Sequence, residues 1–292
     1  MENKNVKFAF FGTDDFSLLV LNELKNKNFL PTLVVTAPDK PKGRKLVLTP
    51  PEVKIWAEEN GVKFIQPKSL RQEKNPEMEK EIKSYAPDGF DLFVVASYGK
   101  IIPQNILDIP RRQTLNVHPS LLPKLRGPSP IESAILFENE TGVTIMRLDA
   151  EMDHGPILAR KKIAVADWPP YADDLEKILG VEGGVLLAEI IPDWLAGKIS
   201  ETEQDHSRAT VCKKIEKIDG EINFSDSAET NLRKIRAYRV WPTAYFFQKH
   251  KDKILRVIVK TAHTENGALV LDRVVPEGKK EMSYADFQKG LR

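Results

Sequence analysis

Short apolar runs alternate with amphipathic stretches along the first two-thirds of the chain. A short continuous apolar run is typical of a parallel strand that is buried on both faces. Apolar residues at near-helical spacing follow the first run, and similar stretches follow the others. The predicted strands are Val6 to Phe11, Leu33 to Thr36, Val62 to Ile65, Leu92 to Ala96, Thr114 to Val117, Gly142 to Leu148 and Pro156 to Val165. Strands that alternate with helices predict an α/β fold with a doubly wound, mostly parallel sheet.

The helical stretches are punctuated by proline and glycine. We expect helices after the first strand and over Pro51 to Asn60, Pro76 to Tyr85, Pro130 to Phe137 and Asp174 to Leu195, the last interrupted near Gly183-Gly184. The turn after the first strand is Gly12-Thr13-Asp14-Asp15, which has a single glycine. It lacks the G-x-G-x-x-G pattern, so dinucleotide binding is disfavoured.

The last third of the chain has a different pattern. Residues 197–207 are polar without an apolar period, and we interpret them as a linker. Beyond them come short alternating runs, Glu221 to Phe224, Thr243 to Phe247, Ile254 to Lys260 and Ala268 to Val275, with one helical stretch, Ser227 to Tyr238. This pattern predicts a small β-barrel with one helix. The predicted domains are therefore residues 1–196 and 208–292, joined by 197–207.

Charge is distributed unevenly between these parts. The chain has 292 residues and a net charge of +2. Residues 1–204 hold 26 Lys and Arg against 30 Asp and Glu, a balance of −4, and residues 205–292 hold 18 against 12, a balance of +6. A basic C-terminal part suggests a nucleic acid or another polyanion as partner. The alternative is a small basic domain that binds nothing in particular.

A second basic feature is the stretch Ala37 to Leu46, which follows the second predicted strand. Its four cations, Lys40, Lys42, Arg44 and Lys45, stand among prolines and a glycine that should keep the stretch out of helix and sheet. Such a loop suits contact with phosphate groups, and an ordinary solvated surface loop is the alternative.

Composition places the chain in the cytoplasm. It is 41% hydrophobic, enough for a sizeable core, and no apolar run approaches the length of a membrane span. The N-terminus lacks a charged and then apolar export leader. A single cysteine, Cys212, excludes an internal disulfide and a multi-cysteine metal site. We expect a monomer that does not bind membranes.

Candidate chemistry lies at the end of one predicted strand. Asn116 and His118 are two residues apart, so their side chains leave the same face of an extended backbone. Asp153 follows a later strand, and the turn at Gly155-Pro156 would hold it in place. These motifs contain no serine or cysteine nucleophile, which suggests acyl transfer to a nucleophile that belongs to the substrate. His118 would handle a proton, Asn116 would donate to an oxyanion, and Asp153 would orient the histidine. A polar strand end before a turn is the alternative.

Three segments resemble the methionyl-tRNA formyltransferases: NVHPSLLPKLRGPSPI from Asn116, ETGVTIMRLD from Glu140 and MDHGPIL from Met152. The resemblance implies a Rossmann-like formyltransferase domain followed by an OB-like domain that assists tRNA binding. It implies transfer of a formyl group from 10-formyltetrahydrofolate to the methionine amino group of initiator methionyl-tRNA, without a metal. The residues that it implies are Asn116, His118 and Asp153 for catalysis, Ser120, Leu121, Leu122 and Pro123 for folate, the loop around Gly43-Arg44 for tRNA, and Phe16 near the methionine.

The sequence departs from the family's pattern at several places. Pro119 replaces a residue that is usually small, and His154 replaces a usual threonine. Between Lys260 and Val275 the chain is shorter than is usual, which points to an incomplete barrel. Two other functions remain open. One is formylation of an amino sugar on a nucleotide, and the other is binding of folate or RNA without turnover. The basic loop and the basic C-terminal part favour tRNA, and the presence of all three catalytic candidates favours an enzyme.

Overall fold

The structure, a computed structural model, describes residues 6–43, 46–251 and 253–291. The chain divides into two compact units. The first contains Met1–Arg126, Gly142–Ile163 and Lys177–Thr210, and the second contains Gly127–Thr141, Ala164–Glu176 and Val211–Arg292. Residues 197–207, the predicted linker, are part of the first unit in this division, and Thr202 in that segment pairs with Ile157. The domain boundaries read from the sequence stay a prediction.

A seven-stranded sheet forms the centre of the first unit. The strands up to residue 163 are β1 (Phe8–Phe11), β2 (Leu33–Val35), β3 (Lys40–Lys42), β4 (Val47–Thr49), β5 (Lys63–Ile65), β6 (Leu92–Val95), β7 (Thr114–His118), β8 (Thr141–Arg147) and β9 (Ile157–Ile163). The sheet order is β5-β2-β1-β6-β7-β8-β9, with parallel pairing from β5 to β7 and antiparallel pairing of β8 with β7. This arrangement confirms the predicted fold class of a doubly wound, mostly parallel sheet.

The order of the strands places a switch point between β1 and β6. From β1 the chain moves outward to β2 and β5, and it then returns to the other side of β1 through β6 and β7. All four residues of β1 are buried, as expected for a parallel strand covered on both faces. Ligands of open α/β sheets bind beyond the carboxyl ends of the strands near such a switch point. The candidate catalytic strand β7 is two strands from β1.

The helices are, in chain order, α1 (Asp15–Asn26), α2 (Glu52–Glu59), α3 (Met78–Ser84), α4 (Gln104–Leu107), α5 (Pro130–Phe137), α6 (Ala172–Leu195), α7 (Ala228–Ala237) and α8 (Tyr284–Lys289). Helix α1 begins directly after the turn that follows β1. The Asp14 side chain accepts a hydrogen bond from the backbone N–H of Ser17 and thereby caps this helix. Asp14 is therefore the N-cap residue of α1.

Helix α6 is continuous over 24 residues, so the predicted interruption at Gly183-Gly184 is wrong. These glycines serve close packing. A Cβ atom built on Gly183 would lie 2.6 Å from Cγ1 of Val117 on β7, and one on Gly184 would lie 2.6 Å from Cβ of Glu23 on α1. Close packing against β7 and α1 therefore explains the two glycines, although glycine has a low helix propensity.

The basic loop is a short hairpin, so the prediction that it stays out of sheets is wrong. Strands β3 and β4 pair antiparallel, with Lys40 opposite Thr49 and Lys42 opposite Val47. Pro41 is tolerated because β3 and β4 form a separate two-stranded sheet, in which the edges need no further ladder hydrogen bonds. The described cations of the hairpin, Lys40 and Lys42, therefore lie on a defined strand.

The second unit contains a four-stranded antiparallel sheet. Its strands are β10 (Tyr245–His250), β11 (Lys253–Glu265), β12 (Ala268–Pro276) and β13 (Met282–Ser283), and they lie in this order. Helix α7 packs on the sheet, and Leu232, Ile235, Phe246 and Val257 belong to their common core. The sequence predicted a small β-barrel with one helix, and the antiparallel β sheet and the helix at Ser227 to Tyr238 are confirmed.

Details of the second unit differ from the predicted barrel. In the part of the chain that the structure describes, the pairings give an open order that runs from β10 to β13. The predicted strand at Glu221 is reduced to one bridge with Tyr245, because a turn follows in which the N–H of Asp226 donates to the carbonyl oxygen of Asn223 at 2.9 Å. The sequence analysis missed β13 and α8, which follow the last long strand.

None of the helices formed by residues 6–43, 46–251 and 253–291 combines the length and the apolar content of a membrane span.

Candidate active site

Strand β7 carries the first two candidate catalytic residues into the sheet. All five of its residues are buried. Its neighbours are β6 and β8, and Asn116 lies opposite Val95 on one side and Met146 on the other. Asn116 and His118 share one face of the strand, whereas Val117 points to the other face. The two polar side chains are thus mounted on a strand that is held on both edges.

Asp153 meets these two side chains from a turn. Its backbone φ is 51°, in the left-handed region. Its Oδ1 lies 3.5 Å from Nδ2 of Asn116 and 3.6 Å from Nδ1 of His118. Both separations exceed those of strong hydrogen bonds, and the one between Asp153 and His118 suits an ion pair once the imidazole is charged. The structure therefore brings together the three residues that the sequence analysis grouped.

The hydrogen bond made by Nε2 of His118 determines which of the two ring nitrogens can accept a proton. Nε2 lies 3.0 Å from the carbonyl oxygen of Leu125. A carbonyl oxygen can only accept, so Nε2 carries a hydrogen. In a neutral ring the lone pair is then on Nδ1, which faces Asp153. A proton taken from a substrate would arrive on the side of the ring where the carboxylate stabilises it.

The loop after β7 holds Leu125 in place. Leu125 has a φ of 61°, and its N–H donates to Oγ1 of Thr210 at 2.9 Å. The N–H of Arg126 donates to the carbonyl oxygen of Thr210, also at 2.9 Å. Two bonds to one residue thus fix the carbonyl group that orients His118.

Comparisons with known proteins agree with the acyl-transfer chemistry that this geometry suits. The model of a family described as formyl transferase matches residues 4–184, and that of the formyl transferase C-terminal domain matches residues 214–267. The methionyl-tRNA formyltransferase of Chloroflexus aggregans is 38% identical over 316 residues, which cover 98% of this chain and 97% of that protein. The chain belongs to the methionyl-tRNA formyltransferase family.

Solved structures share the fold. The methionyl-tRNA formyltransferase from Clostridium thermocellum aligns with a TM-score of 0.58 at 18% identity, over 93% of this chain and 98% of that one. A sugar 3N-formyl transferase, solved in the presence of dTDP and 5-N-formyl-THF, aligns with a TM-score of 0.63 at 16% identity, over 95% of this chain and 100% of that one. At these identities the likeness concerns the fold alone.

The segment Ser120 to Pro123, which the family resemblance implies for folate, is tied into the loop by its own hydrogen bonds. Oγ of Ser120 donates to the carbonyl oxygen of Lys124 at 2.6 Å. Oγ1 of Thr144 donates to the carbonyl oxygen of Ser120 at 2.6 Å and accepts from the N–H of Leu122 at 3.2 Å. Leu121 packs over Gly142, where a Cβ atom would lie 2.5 Å from Cδ2 of Leu121. The loop is rigidly shaped, and its contact with folate stays a prediction.

A buried phenol lies near the switch point. Tyr98 follows β6, whose Val95 is paired with Asn116. Its hydroxyl is buried and has no hydrogen-bond partner among the described residues. Burial raises the pKa of this phenol, so it remains a hydrogen-bond donor. Tyr98 belongs to the core of the first unit, where its ring contacts that of Phe11 at a centroid distance of 5.6 Å.

Phe16, predicted for the methionine pocket, lies on α1 and is buried in the first unit. Its neighbour Ser17 donates to the carbonyl oxygen of Ala96 at 2.6 Å and so joins the start of α1 to the end of β6. The position of Phe16 beside the switch point is compatible with a role in the pocket, and that role stays a prediction.

The predicted tRNA cations divide into two pairs. Lys40 and Lys42 are exposed on β3. Arg44 and Lys45 lie outside the described residues. The base of the hairpin is anchored at Asp39.

Asp39 accepts hydrogen bonds from two residues that the sequence analysis missed. Nε2 of Gln66 donates to Oδ1 at 2.7 Å, and Nζ of Lys54 donates to Oδ2 at 2.9 Å. These hydrogen bonds lower the pKa of Asp39, and the one from Gln66 contributes more than the one from Lys54. Asp39 is therefore a carboxylate at neutral pH, and it fixes the point from which the basic hairpin projects.

A second group that the sequence analysis missed lies behind Asp153. It consists of Arg126, Gln204 and His206, which contact one another through side-chain hydrogen bonds. Arg126 stands at the end of a recognised motif, which is a signal for it. Gln204 lies in a polar stretch that reads as a linker, so no local signal indicates its burial.

Among the described residues, no group of three or more histidine, cysteine, aspartate or glutamate side chains could hold a metal ion. The expectation that no metal takes part in the reaction stays a prediction, which exhaustive chelation of the active enzyme tests.

Proposed function

We propose that this chain transfers a formyl group from 10-formyltetrahydrofolate to the amino group of methionine on initiator methionyl-tRNA, for translation initiation. The observation that carries the proposal is the position of Asp153 Oδ1, within 3.6 Å of both the Asn116 amide and the His118 imidazole at the end of a central strand. Relatives that are named for this activity match nearly the whole chain.

The first chemical step joins the methionine nitrogen to the formyl carbon. As the nitrogen lone pair attacks, the electrons of the carbonyl double bond move to the formyl oxygen. The Nδ2 group of Asn116 donates a hydrogen bond to this oxyanion. Nδ1 of His118 takes the proton that the nitrogen loses, and the carboxylate of Asp153 stabilises the imidazolium that results.

The second step breaks the bond between the formyl carbon and N10 of the folate. The oxyanion electrons restore the carbonyl group, and the imidazolium returns its proton to the departing nitrogen. The products are N-formylmethionyl-tRNA and tetrahydrofolate. His118 ends the cycle neutral, with Nε2 bonded to Leu125 throughout.

The acceptor is favoured to be a tRNA by two basic features. Lys40 and Lys42 are exposed on an anchored hairpin, and residues 205–292 have a charge balance of +6, from 18 Lys and Arg against 12 Asp and Glu. A tRNA offers many phosphates to such surfaces, whereas a sugar nucleotide offers few. The sugar formyltransferases among the solved structures share the fold at identities that carry no argument about substrate.

Direct formylation assays test the proposal. Purified protein would be incubated with 10-formyltetrahydrofolate and either methionyl initiator tRNA, the same tRNA without its amino acid, or an aminosugar nucleotide. We expect formylmethionine after hydrolysis of the charged tRNA and no product in the other two reactions. Formylation of the sugar alone would support the alternative enzyme, and formylation of neither acceptor would support a binding module.

We also infer that the chain works as a monomer in the cytoplasm, where translation initiation takes place. Light scattering coupled to size-exclusion chromatography tests the first point, because a monomer has a mass of 33.1 kDa. A mass of twice that value at assay concentrations would contradict it.

A further inference from the structure

A buried arginine and a buried glutamine lie behind the turn that carries Asp153. Arg126 is 9% exposed and Gln204 is 4% exposed. Both belong to the first unit. Buried polar side chains of this size are uncommon unless their hydrogen bonds are satisfied. The proposed chemistry assigns no step to either residue, so their burial requires a separate explanation.

The orientation of the Gln204 amide is fixed by its neighbours. Oε1 accepts from Nε of Arg126 at 3.1 Å and from Nη2 at 2.7 Å. A guanidinium has only donors, so the oxygen of the amide must face it. Nε2 then faces away from Arg126, where it donates to the carbonyl oxygen of Asp153 at 2.9 Å and to that of Gly155 at 2.7 Å.

These two bonds span the turn that aims the Asp153 carboxylate. Asp153 has a φ of 51°, and a residue with a Cβ atom adopts this conformation at a cost unless its surroundings impose it. Gly155 is packed against the backbone, since a Cβ atom there would lie 2.0 Å from the carbonyl oxygen of Arg147. Gln204 thus holds the turn on one side while Arg147 closes it on the other.

Arg126 also connects the two groups that orient His118. It directly follows Leu125, whose carbonyl oxygen accepts from Nε2 of His118. Through Gln204 it reaches the backbone of Asp153, whose carboxylate faces Nδ1 of the same ring. The imidazole of His118 therefore lies between the Leu125 carbonyl group and the Asp153 carboxylate, and Arg126 and Gln204 together link these two groups.

Nη2 of Arg126 makes a further hydrogen bond to a histidine. It donates to Nδ1 of His206 at 2.9 Å. The ring of His206 stacks on that of His154, with centroids 4.1 Å apart and an angle of 4°. His154, which departs from the family's usual threonine, thereby packs on the ring that accepts the hydrogen bond from Arg126.

We propose that Arg126 and Gln204 are positioning residues that hold Asp153 and Leu125 on opposite sides of the His118 ring. The proposal rests on the proposed function for its kinetic tests, because it assigns the effect of these residues to the catalytic trio. Neither residue touches the substrates in this scheme. Their loss should lower kcat and leave substrate binding nearly unchanged.

The first test replaces Gln204 in the full-length protein. Gln204→Leu keeps the approximate volume but leaves two carbonyl groups without their donor. We expect kcat to fall by about tenfold to a hundredfold, the scale for displacing a catalytic group by about 1 Å, while KM for each substrate stays within about twofold. A KM increase at constant kcat would overturn the proposal, because it would place Gln204 at a substrate.

Gln204→Glu separates positioning from stability. The new carboxylate can still accept from Arg126 and gains an ion pair, which offsets part of the repulsion between its second oxygen and the two carbonyl oxygens, so we expect Tm to fall by less than in Gln204→Leu. It cannot donate to Asp153 or Gly155, so kcat should fall as in Gln204→Leu. Near-normal kcat in this variant would overturn the proposal.

A matched control is available in the second unit. Asn231 is also a buried amide, and its Nδ2 donates to the carbonyl oxygen of Asn223 at 2.9 Å. Asn231→Leu should lower Tm and leave kcat within about twofold of the wild type. If kcat followed Tm in the same way in Asn231→Leu and Gln204→Leu, Gln204 would have only a structural role.

A double-mutant cycle tests whether Gln204 acts through Asp153. Asp153→Asn alone should be severe, and Gln204→Leu added to it should lower kcat by less than about twofold, since the group that Gln204 positions is already lost. A further loss as large as that in the wild-type background would contradict the proposal.

Arg126→Lys should retain more activity than Arg126→Met, because a single ammonium replaces only part of the guanidinium fork.

A substrate-free measurement separates the failure of this proposal from a failure of the proposed function. Spectra of protein labelled with ¹⁵N-histidine report the ring nitrogens of His118 without any reaction. We expect their shifts to move in Gln204→Leu and to keep wild-type values in Asn231→Leu. Unchanged shifts in Gln204→Leu would overturn the positioning role, whatever acceptor the enzyme uses.

Discussion

A single added methyl group behind the catalytic strand should lower the reaction rate. Gly183 lies on α6, and a Cβ atom there would be 2.6 Å from Cγ1 of Val117. Carbon atoms in contact are normally separated by about 3.5–4.0 Å, so Gly183→Ala requires a displacement of about 1 Å. Val117 is 1% exposed and β-branched, so its side chain has little freedom to turn away. The displacement must therefore reach the backbone of β7 or of α6.

The magnitude follows from the position of Val117 between Asn116 and His118. If β7 takes up half or more of the displacement, both catalytic side chains move relative to Asp153. Misplacement by about 1 Å can cost about a hundredfold in rate, so we expect kcat to fall by about tenfold or more. Overpacking costs about 1–3 kcal/mol, and the better helix propensity of alanine offsets up to about 1 kcal/mol of it.

Gly184→Ala is the matched control on the same helix. Its Cβ atom would lie 2.6 Å from Cβ of Glu23 and 3.1 Å from Cα of Val20, so the overlap is at least as severe but is directed at α1. Both variants should lower Tm, by about 2–4 °C for each kcal/mol in a unit of this size. Steady-state formylation of charged initiator tRNA should then separate them, since only Gly183→Ala displaces the catalytic strand.

Equal kcat values in the two variants would refute this reasoning. So would a Gly183→Ala enzyme that loses stability and keeps its full rate, because α6 would then have moved without β7. A variant that raises KM alone would show that the helix acts on substrate binding.

Three further predictions concern the trio, the hairpin and the phenol. Asn116→Ala and His118→Ala should each lower kcat by about a hundredfold or more in steady-state assays, and near-normal rates in either would remove that residue from the mechanism. Replacement of both Lys40 and Lys42 by alanine should reduce the slope of log K against log salt for tRNA binding by up to about 1.4–1.8, as measured by filter binding, if each contacts one phosphate. Tyr98→Phe should leave Tm unchanged or raise it, since an unsatisfied buried hydroxyl costs about 1–3 kcal/mol. The same variant should leave KM for the formyl donor within about twofold in initial-rate measurements, because the hydroxyl is buried in the core, and a large rise in KM would contradict this.

Local sequence patterns determined most of the first unit's architecture. Runs such as Phe8–Phe11 and Leu92–Val95 are apolar enough to be buried on both faces, so their identity as central strands needs no knowledge of their neighbours. The spacing of Asn116 and His118 placed both on one face for the same reason. A period of two residues is a property of the strand itself.

Other features depended on which segments meet in space. Gly183 and Gly184 suggest a helix break when they are considered alone, and they become packing sites only because β7 and α1 pass within reach of α6. The basic stretch from Lys40 looked like a loop, because its proline and glycine are local signals. Pairing with Val47–Thr49 is a contact between segments, and it outweighed those signals.

Gln204 shows the limit of the sequence most clearly. The sequence alone determined the fold class, the strand that carries Asn116 and His118, and the turn that carries Asp153, since each follows from local periodicity or from a short motif. Only the tertiary structure decided that a glutamine in a polar stretch is buried, that it faces Arg126 at 78 positions' separation, and that it holds the backbone of Asp153. A polar side chain can be buried only where distant partners satisfy all its hydrogen bonds, and those partners are brought together by the fold rather than by neighbouring residues.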